Sequence, residues 1–305
     1  MRIIAAVLLP LIVPFVITEI LWALPGDPID IMCPPGLCTG QAQMAQRLCM
    51  ADGAWHFYSC WLSHAVELDF GRSLRVAQGE HVWVLLRESL PTTAALVGAS
   101  LLPVFVLSSL ASANLLPRAL DYLWQAVGLV PSVILSLLAA AYITISYGAG
   151  SGDGVPAMLR LGFGALVLAC ADGTLAGAVI GTRSVFDEEI KARYIQIAML
   201  RGESTFLNAL PNVTPALIGQ FRGRVLHIMS GAVIVEVVLD ISGLGDLLWD
   251  GTLLQDFPVV LAAAFAFSLM SGALLLVQAV AEVAVEMHIR RAPAVPHDAG
   301  EAVPA

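Results

Sequence analysis

Six stretches of this chain are apolar over about twenty consecutive residues, the length that carries an α-helix across a bilayer core. They cover 3–24, 94–113, 122–146, 159–181, 217–239 and 258–284. The runs are continuous rather than alternating with a period of two, so they predict helices and not barrel strands. The fifth is the least clean, because Arg222, Arg224 and His227 leave only Val225–Leu239 uninterrupted. The first starts at Arg2 and lacks a small-residue cleavage site, so it reads as a retained span and not a signal peptide. This pattern divides the chain into a first span (1–24), a polar segment (25–93), a core of five further spans (94–286) that carries a polar loop at 183–215, and a tail (287–305). The tail is rich in Pro and Ala and is predicted to be disordered. Neither an internal repeat nor a low-complexity tract is present.

Composition supports the same reading. Of 305 residues, 58% are hydrophobic and 13% are charged, and the mean hydropathy is +0.82. Soluble domains carry roughly 25% charged residues and cannot hide this much apolar surface at this length. An ordinary globular enzyme, a disordered chain and a nucleic-acid binder with a basic face are therefore excluded. The expectation is an all-α polytopic membrane protein. The net charge of −9 matters less than its distribution. With the N-terminus inside, Arg2, Arg118, the Arg183–Arg201 loop and Arg290–Arg291 fall on the cytoplasmic side, and Arg160 is the one base in the short outer loops. Both termini are then cytoplasmic and 25–93 faces out.

The outer segment holds Cys33, Cys38, Cys49 and Cys60, together with Tyr58, Trp61, Phe70 and Trp83. In an oxidising compartment these cysteines are candidates for one or two disulfides, of three possible pairings, with unpaired thiols in a packed cap as the alternative. No CxxC spacing supports zinc. Cys170 reads as a small buried apolar residue. Charges inside spans are costly and mark functional candidates. Asp172, beside Gly173 and Thr174, either bonds within the bundle or lines the solute path. Glu236, near the outer end of the fifth span, either lines that path or tethers its helix. Arg222 and Arg224 sit about 200° apart on a helix and read as snorkelling or pairing at the inner interface, with a pore-lining role as the alternative. Glu282, Glu286 and Arg290 share one stripe and suit intrahelical pairing. No catalytic constellation, cofactor motif, metal-ligand set or GxxxxGK[ST] phosphate loop occurs, so the chain is not expected to hydrolyse ATP.

The polar loop is not linker-like. Ile190, Tyr194, Ile197 and Ala198 recur at helical spacing, and Gly202 stands where a helix would stop. A second short helix is predicted from Ser204 or Thr205, with Pro211 and Pro215 marking where the fifth span begins. The expected result is a helix–turn–helix knob with an apolar face for a partner. Ala198 followed by Gly202, within RYIQIAMLRG, resembles the EAA-type coupling loop of ABC importer permeases. More narrowly it resembles the dipeptide/oligopeptide/nickel permeases, whose loop usually reads like DYVRTARAKG. Further matches follow in the family's order. They are Leu24-Pro25-Gly26-Asp27-Pro28, Leu68-Asp69-Phe70-Gly71-Arg72-Ser73-Leu74, Leu90-Pro91 with Thr93, Pro131-Ser132, Gly231–Glu236, and Gly243-Leu244-Gly245 with Asp256-Phe257-Pro258.

The resemblance implies a type I (MetI-like) permease fold with an extra N-terminal span, in the inner membrane of a bacterium. It implies a second permease subunit, two ABC ATPase subunits or domains and an external solute-binding protein as partners, with peptides or related solutes as cargo. Onto this chain it carries Glu188, Tyr194, Ala198, Arg201 and Gly202 as the ATPase-coupling residues. The chain also departs from the family pattern. Met199 replaces an arginine, the interval from Gly202 to Pro211-Asn212 is shorter than usual, and Arg222 and Arg224 stand where the family usually carries Gly and Leu. A secondary transporter is disfavoured because neither inverted repeats nor broken helices at matching positions are legible. A degenerate permease acting as a membrane scaffold is the remaining alternative.

Overall fold

A computed structural model describes residues 2–23, 29–30, 41–147 and 156–291. Cys33, Cys38, the Leu24–Pro28 motif and the end of the tail lie outside the described residues. The elements are α1 (Arg2–Ala23), α2 (Gln41–Arg47), α3 (Ala54–Val66), α4 (Val82–Ser112), α5 (Leu120–Gly128), α6 (Ser132–Tyr147), α7 (Ala157–Cys170), α8 (Thr174–Glu189), α9 (Arg193–Leu200), α10 (Thr205–Leu239), α11 (Leu244–Leu253) and α12 (Phe257–Arg291). Among the described residues the only extended pairing is an isolated bridge between Arg72 and His81. Four helical stretches are long and apolar enough to cross a bilayer, and six when each bent pair counts as one span. Leu102, Leu138 and Ile145 leave large apolar side chains uncovered on the outside of the bundle, as a lipid-facing surface requires.

Three spans are broken, although no broken helices are legible in the sequence. The α5–α6 pair bends by 90° where Pro131 supplies no N–H and disfavours helical backbone at Val130. Between α7 and α8 a 3₁₀ turn, Ala171–Gly173, puts Asp172 (φ 52°) and Gly173 (φ 71°) in the left-handed region, which ends a helix. The α10–α11 pair bends by 68° after Asp240, also left-handed at φ 54°. Two of the breaks interlock. A Cβ on Gly128 would lie 2.9 Å from Gly173 Cα, so the two irregular segments meet backbone to backbone.

Two helices outrun their apolar runs. The second span begins at Val82, well before residue 94, because the stretch 82–93 continues the helix into a cap with its own buried core. The predicted short helix after Ser204 and the fifth span are one helix, α10, which runs through Pro211 and Pro215. At about 1.5 Å per residue its 35 residues span about 52 Å, so the knob at its start and the cap near its end occupy opposite ends of the bundle. The main core joins α4, α6, α7, α8 and α10 through Leu96, Ile143, Leu168, Val179 and Ile228. A second core at the cap end unites α3 with α11 and α12 through Phe57, Trp61, Phe70, Leu244 and Leu261. Helix α1 lies along α12, and Gly272 permits the approach, since a Cβ there would sit 2.6 Å from the Ala6 carbonyl oxygen.

Candidate functional site

The knob is built from α9 and the facing ends of α8 and α10. Helix α9 ends in a Schellman turn: Glu203 N–H donates to the Ala198 carbonyl at 3.0 Å and Gly202 N–H to that of Met199 at 3.0 Å. Gly202 adopts φ +77°, which explains the glycine four residues after the alanine. Ser204 then caps α10, its hydroxyl accepting from Leu207 N–H at 3.4 Å. A small core of Phe186, Ile195, Ala209 and Val213 lies beneath, with Phe186 and Phe206 stacked at 5.4 Å. The Tyr194 hydroxyl donates to Glu189, while Asn212 Nδ2 donates to Tyr194 at 2.7 Å and to Glu189 at 3.2 Å, so α8, α9 and α10 are tied at one point. Partial burial, with the Glu189 carboxylate beside it, pushes the Tyr194 hydroxyl above its usual range and keeps it a donor.

The periodicity assigned Ala198 and Ile197 to one face, yet the structure separates them. Ala198 and Ile195 turn inward, whereas Tyr194, Ile197, Met199 and Leu200 are exposed, Leu200 at 88%. Leu207, in the first turn of α10, is exposed as well. Glu188, Arg201 and Gly202 are exposed beside it. Ile195, Leu200 and Leu207 carry much of this architecture and were missed in the sequence, because an eight-residue helix offers too few turns to separate its faces. Behind the knob, Arg118 pairs with Asp187 at 3.0 Å, and Arg183 bonds Asp121 and the Leu116 carbonyl.

In the bundle, Asp172 fastens the two interlocked breaks. Its carboxylate accepts the Ser132 N–H (3.2 and 3.3 Å) and so caps α6 across the bundle. Its own N–H donates to the Val130 carbonyl at 3.2 Å. His227 of α10 approaches the same carboxylate at 3.8 Å, and both side chains stay partly exposed. Glu236 is fully buried and points at the turn into α11, where Gly245 N–H donates to it at 2.6 Å. Gly243 and Gly245 make room for it, since a Cβ on either would fall within 2.8 Å of the carboxylate. In the next strand of this fastening, Thr93 Oγ1 accepts the Leu244 N–H at 2.7 Å.

Helix α10 also runs antiparallel to α8, and two glycines of α8 receive its long polar side chains. The Arg224 guanidinium lies over Gly177, and the Gln220 amide lies over Gly181. Neither Arg222 nor Arg224 makes an ion pair among the described residues.

At the other end, Cys49 and Cys60 form a disulfide joining α3 to the end of α2. Cys33 and Cys38 lie outside the described residues. Asp256, just before α12, is fully buried. One of its oxygens accepts from Ser73 Oγ (2.7 Å) and the backbone N–H groups of Leu74 (2.9 Å), Arg75 (2.8 Å) and Val76 (3.1 Å). Phe70 is packed among Trp61, Trp83 and Phe265. Several of the motifs quoted above thus meet in pairs: Ser73–Leu74 with Asp256, Thr93 with Leu244, and Glu236 with Gly245. Among the described residues no cluster of His, Cys, Asp and Glu is arranged to hold a metal ion.

Comparison with known proteins agrees with this architecture. Residues 100–291 match the family described as binding-protein-dependent transport system inner membrane component. The oligopeptide transport system permease protein AppB of Bacillus subtilis is 28% identical over 273 residues, covering 82% of this chain and 84% of that one. A Brucella suis biovar 1 protein, named provisionally as a peptide permease, is 28% identical over 268 residues, covering 78% and 82%. An all-helical bundle with up to six spans, fastened where the motifs meet, belongs to the binding-protein-dependent transport system inner membrane component family, and this chain is a multi-pass membrane permease of that family.

Proposed function

We propose that the chain is the transmembrane subunit of an ATP-driven importer for peptides or related solutes, powered by a separate ATPase that docks on the knob around Ala198–Gly202. The observation that carries this reading is the knob itself. It exposes Ile197, Leu200 and Leu207 at the end of the bundle, while its own core holds it rigidly to α8 and α10. A push on α9 therefore reaches two helices that continue to the interlocked breaks, where a rigid-body shift can open or close a path. Both termini and the knob lie on the cytoplasmic side, and the disulfide-bearing cap faces the solute-binding protein. A second permease completes the path, and two ATPase subunits or domains complete the assembly. Asp172 and His227, partly exposed at the breaks, lie on the face turned to that path, because irregular backbone and ionisable side chains at membrane depth need protein or water beside them. Glu236 serves as a tether for the α10–α11 turn.

The direct test is purification of the tagged chain in mild detergent with identification of whatever accompanies it. Recovery of an ABC ATPase and a second permease is the expected result. Recovery of this chain alone, under conditions that keep a related importer intact, would favour the scaffold reading.

A further inference from the structure

A trough of about 370 Å³ runs between α4, α8, α10 and α12 on the knob side of the breaks. On α10 it extends from Leu210 to Arg224, a rise of about 21 Å. Its walls are mainly apolar, with Phe105, Leu217, Phe221 and Val277 among them. Four buried polar atoms on the lining have no hydrogen-bond partner: Ser108 Oγ, Gln220 Oε1, Arg224 Nε and Gln278 Oε1. Native structures leave few such atoms unmet, and here four gather at one cavity. Arg224 is the one charged residue on the lining, and among the described residues no carboxylate pairs with it. Asp172, just before α8, is engaged by Ser132 and His227.

We infer that this trough is a binding site for an organic carboxylate, with the Arg224 guanidinium as its anchor. The inference rests on the importer reading and adds the solute's charge class to it. An unpaired cation among apolar walls is costly, and an anion that satisfies it gains the full strength of a charge-assisted hydrogen bond. The apolar walls select an organic molecule over an inorganic anion. The polarity of the trough also argues against a phospholipid. A headgroup would lie at the interface, near Leu210 and Ser112, with acyl chains toward the bilayer centre, yet the cation stands at the deep end. A peptide with a free C-terminal carboxylate fits both features. Gly177 makes the site possible by leaving the space that the guanidinium fills.

The test uses the full chain purified in detergent with any subunits that accompany it. Phenylglyoxal labels accessible arginines, and mass spectrometry reads each position, with the denatured chain as the reference for complete labelling. Trialanine is expected to slow labelling of Arg224 but not of Arg222. The C-terminal amide of trialanine should need about tenfold more peptide for the same protection, the usual worth of one charge-assisted hydrogen bond. Equal protection by acid and amide, or no protection at all, would overturn the inference. Failure of Arg224 to label in the native chain would also overturn it, because the trough would then be closed to solutes. Protection by phosphatidylglycerol alone would reassign the site to a lipid phosphate. None of these outcomes depends on an ATPase, whereas loss of the ATPase from the purified complex would remove the importer reading and leave the labelling result intact.

Discussion

Asp256 shows how much of this molecule hangs on single polar atoms. One oxygen gathers a hydroxyl and three backbone N–H groups from 73–76, about 180 residues away in sequence. Those donors are buried or partly buried, so removing the carboxylate leaves them unmet. Asp256→Ala should destabilise the cap by about 3 kcal/mol or more, and Asp256→Asn by less. Hydrogen exchange at Leu74, Arg75 and Val76 checks this, and unchanged protection in Asp256→Ala would refute it. Gly202 is a second such position. Its φ of +77° makes a β-branched substitution costly, by about 1–2 kcal/mol, whereas asparagine tolerates the conformation. Gly202→Val should therefore raise protease cleavage within 198–205 and Gly202→Asn should not. Equal cleavage of the two variants would contradict the Schellman reading. The third residue, Gly245, is closed to any side chain, because a Cβ would meet Val233 Cα at 2.6 Å. Gly245→Ala is expected to cost about 1–3 kcal/mol by overpacking, read as a lower unfolding midpoint in detergent.

Between elements, the informative feature is the contact of two broken spans. Gly128 against Gly173 holds α5 and the α7–α8 turn together, and Asp172 caps α6 from the neighbouring break. Substituting Gly128→Leu should separate them and release Ser132 N–H, whereas Gly162→Leu, where a Cβ meets nothing within 4 Å, should leave the breaks intact. Cross-linking of a cysteine pair placed at Val130 and Thr174 would report the separation as lost disulfide yield. The existence and order of the spans were legible in the apolar runs, because a twenty-residue run has few other uses. The breaks were not. Pro131 is one residue among apolar neighbours, and Asp172-Gly173 adopts left-handed backbone in a stretch whose composition reads as helix. Likewise the motif residues could be quoted from the sequence, but their partners are set by tertiary packing. Nothing in the spacing of Ser73 and Asp256 says that they touch. The knob was legible as a helix ending at Gly202, while its inward and outward faces were not, since Ile195 and Ile197 differ only in what packs on them.

The whole molecule has two ends with different chemistry. The cap end carries the Cys49–Cys60 disulfide and the second core, and the knob end carries Arg118, Arg183, Lys191 and Arg201. In the orientation proposed above, the knob lies in the cytoplasm and the disulfide-bearing cap outside. If the knob transmits force from an ATPase, its contact must involve Leu200, the most exposed apolar side chain there at 88%. The most direct measurement compares the amount of ABC ATPase that co-purifies with the wild-type chain, with Leu200→Glu and with the control Leu68→Glu at the cap end. Leu200→Glu should insert normally in the membrane but retain at most about a tenth of the ATPase, as burying an unpaired charge in an apolar contact demands. Leu68→Glu should retain all of it. Full ATPase recovery with Leu200→Glu would show that the ATPase does not dock on the knob.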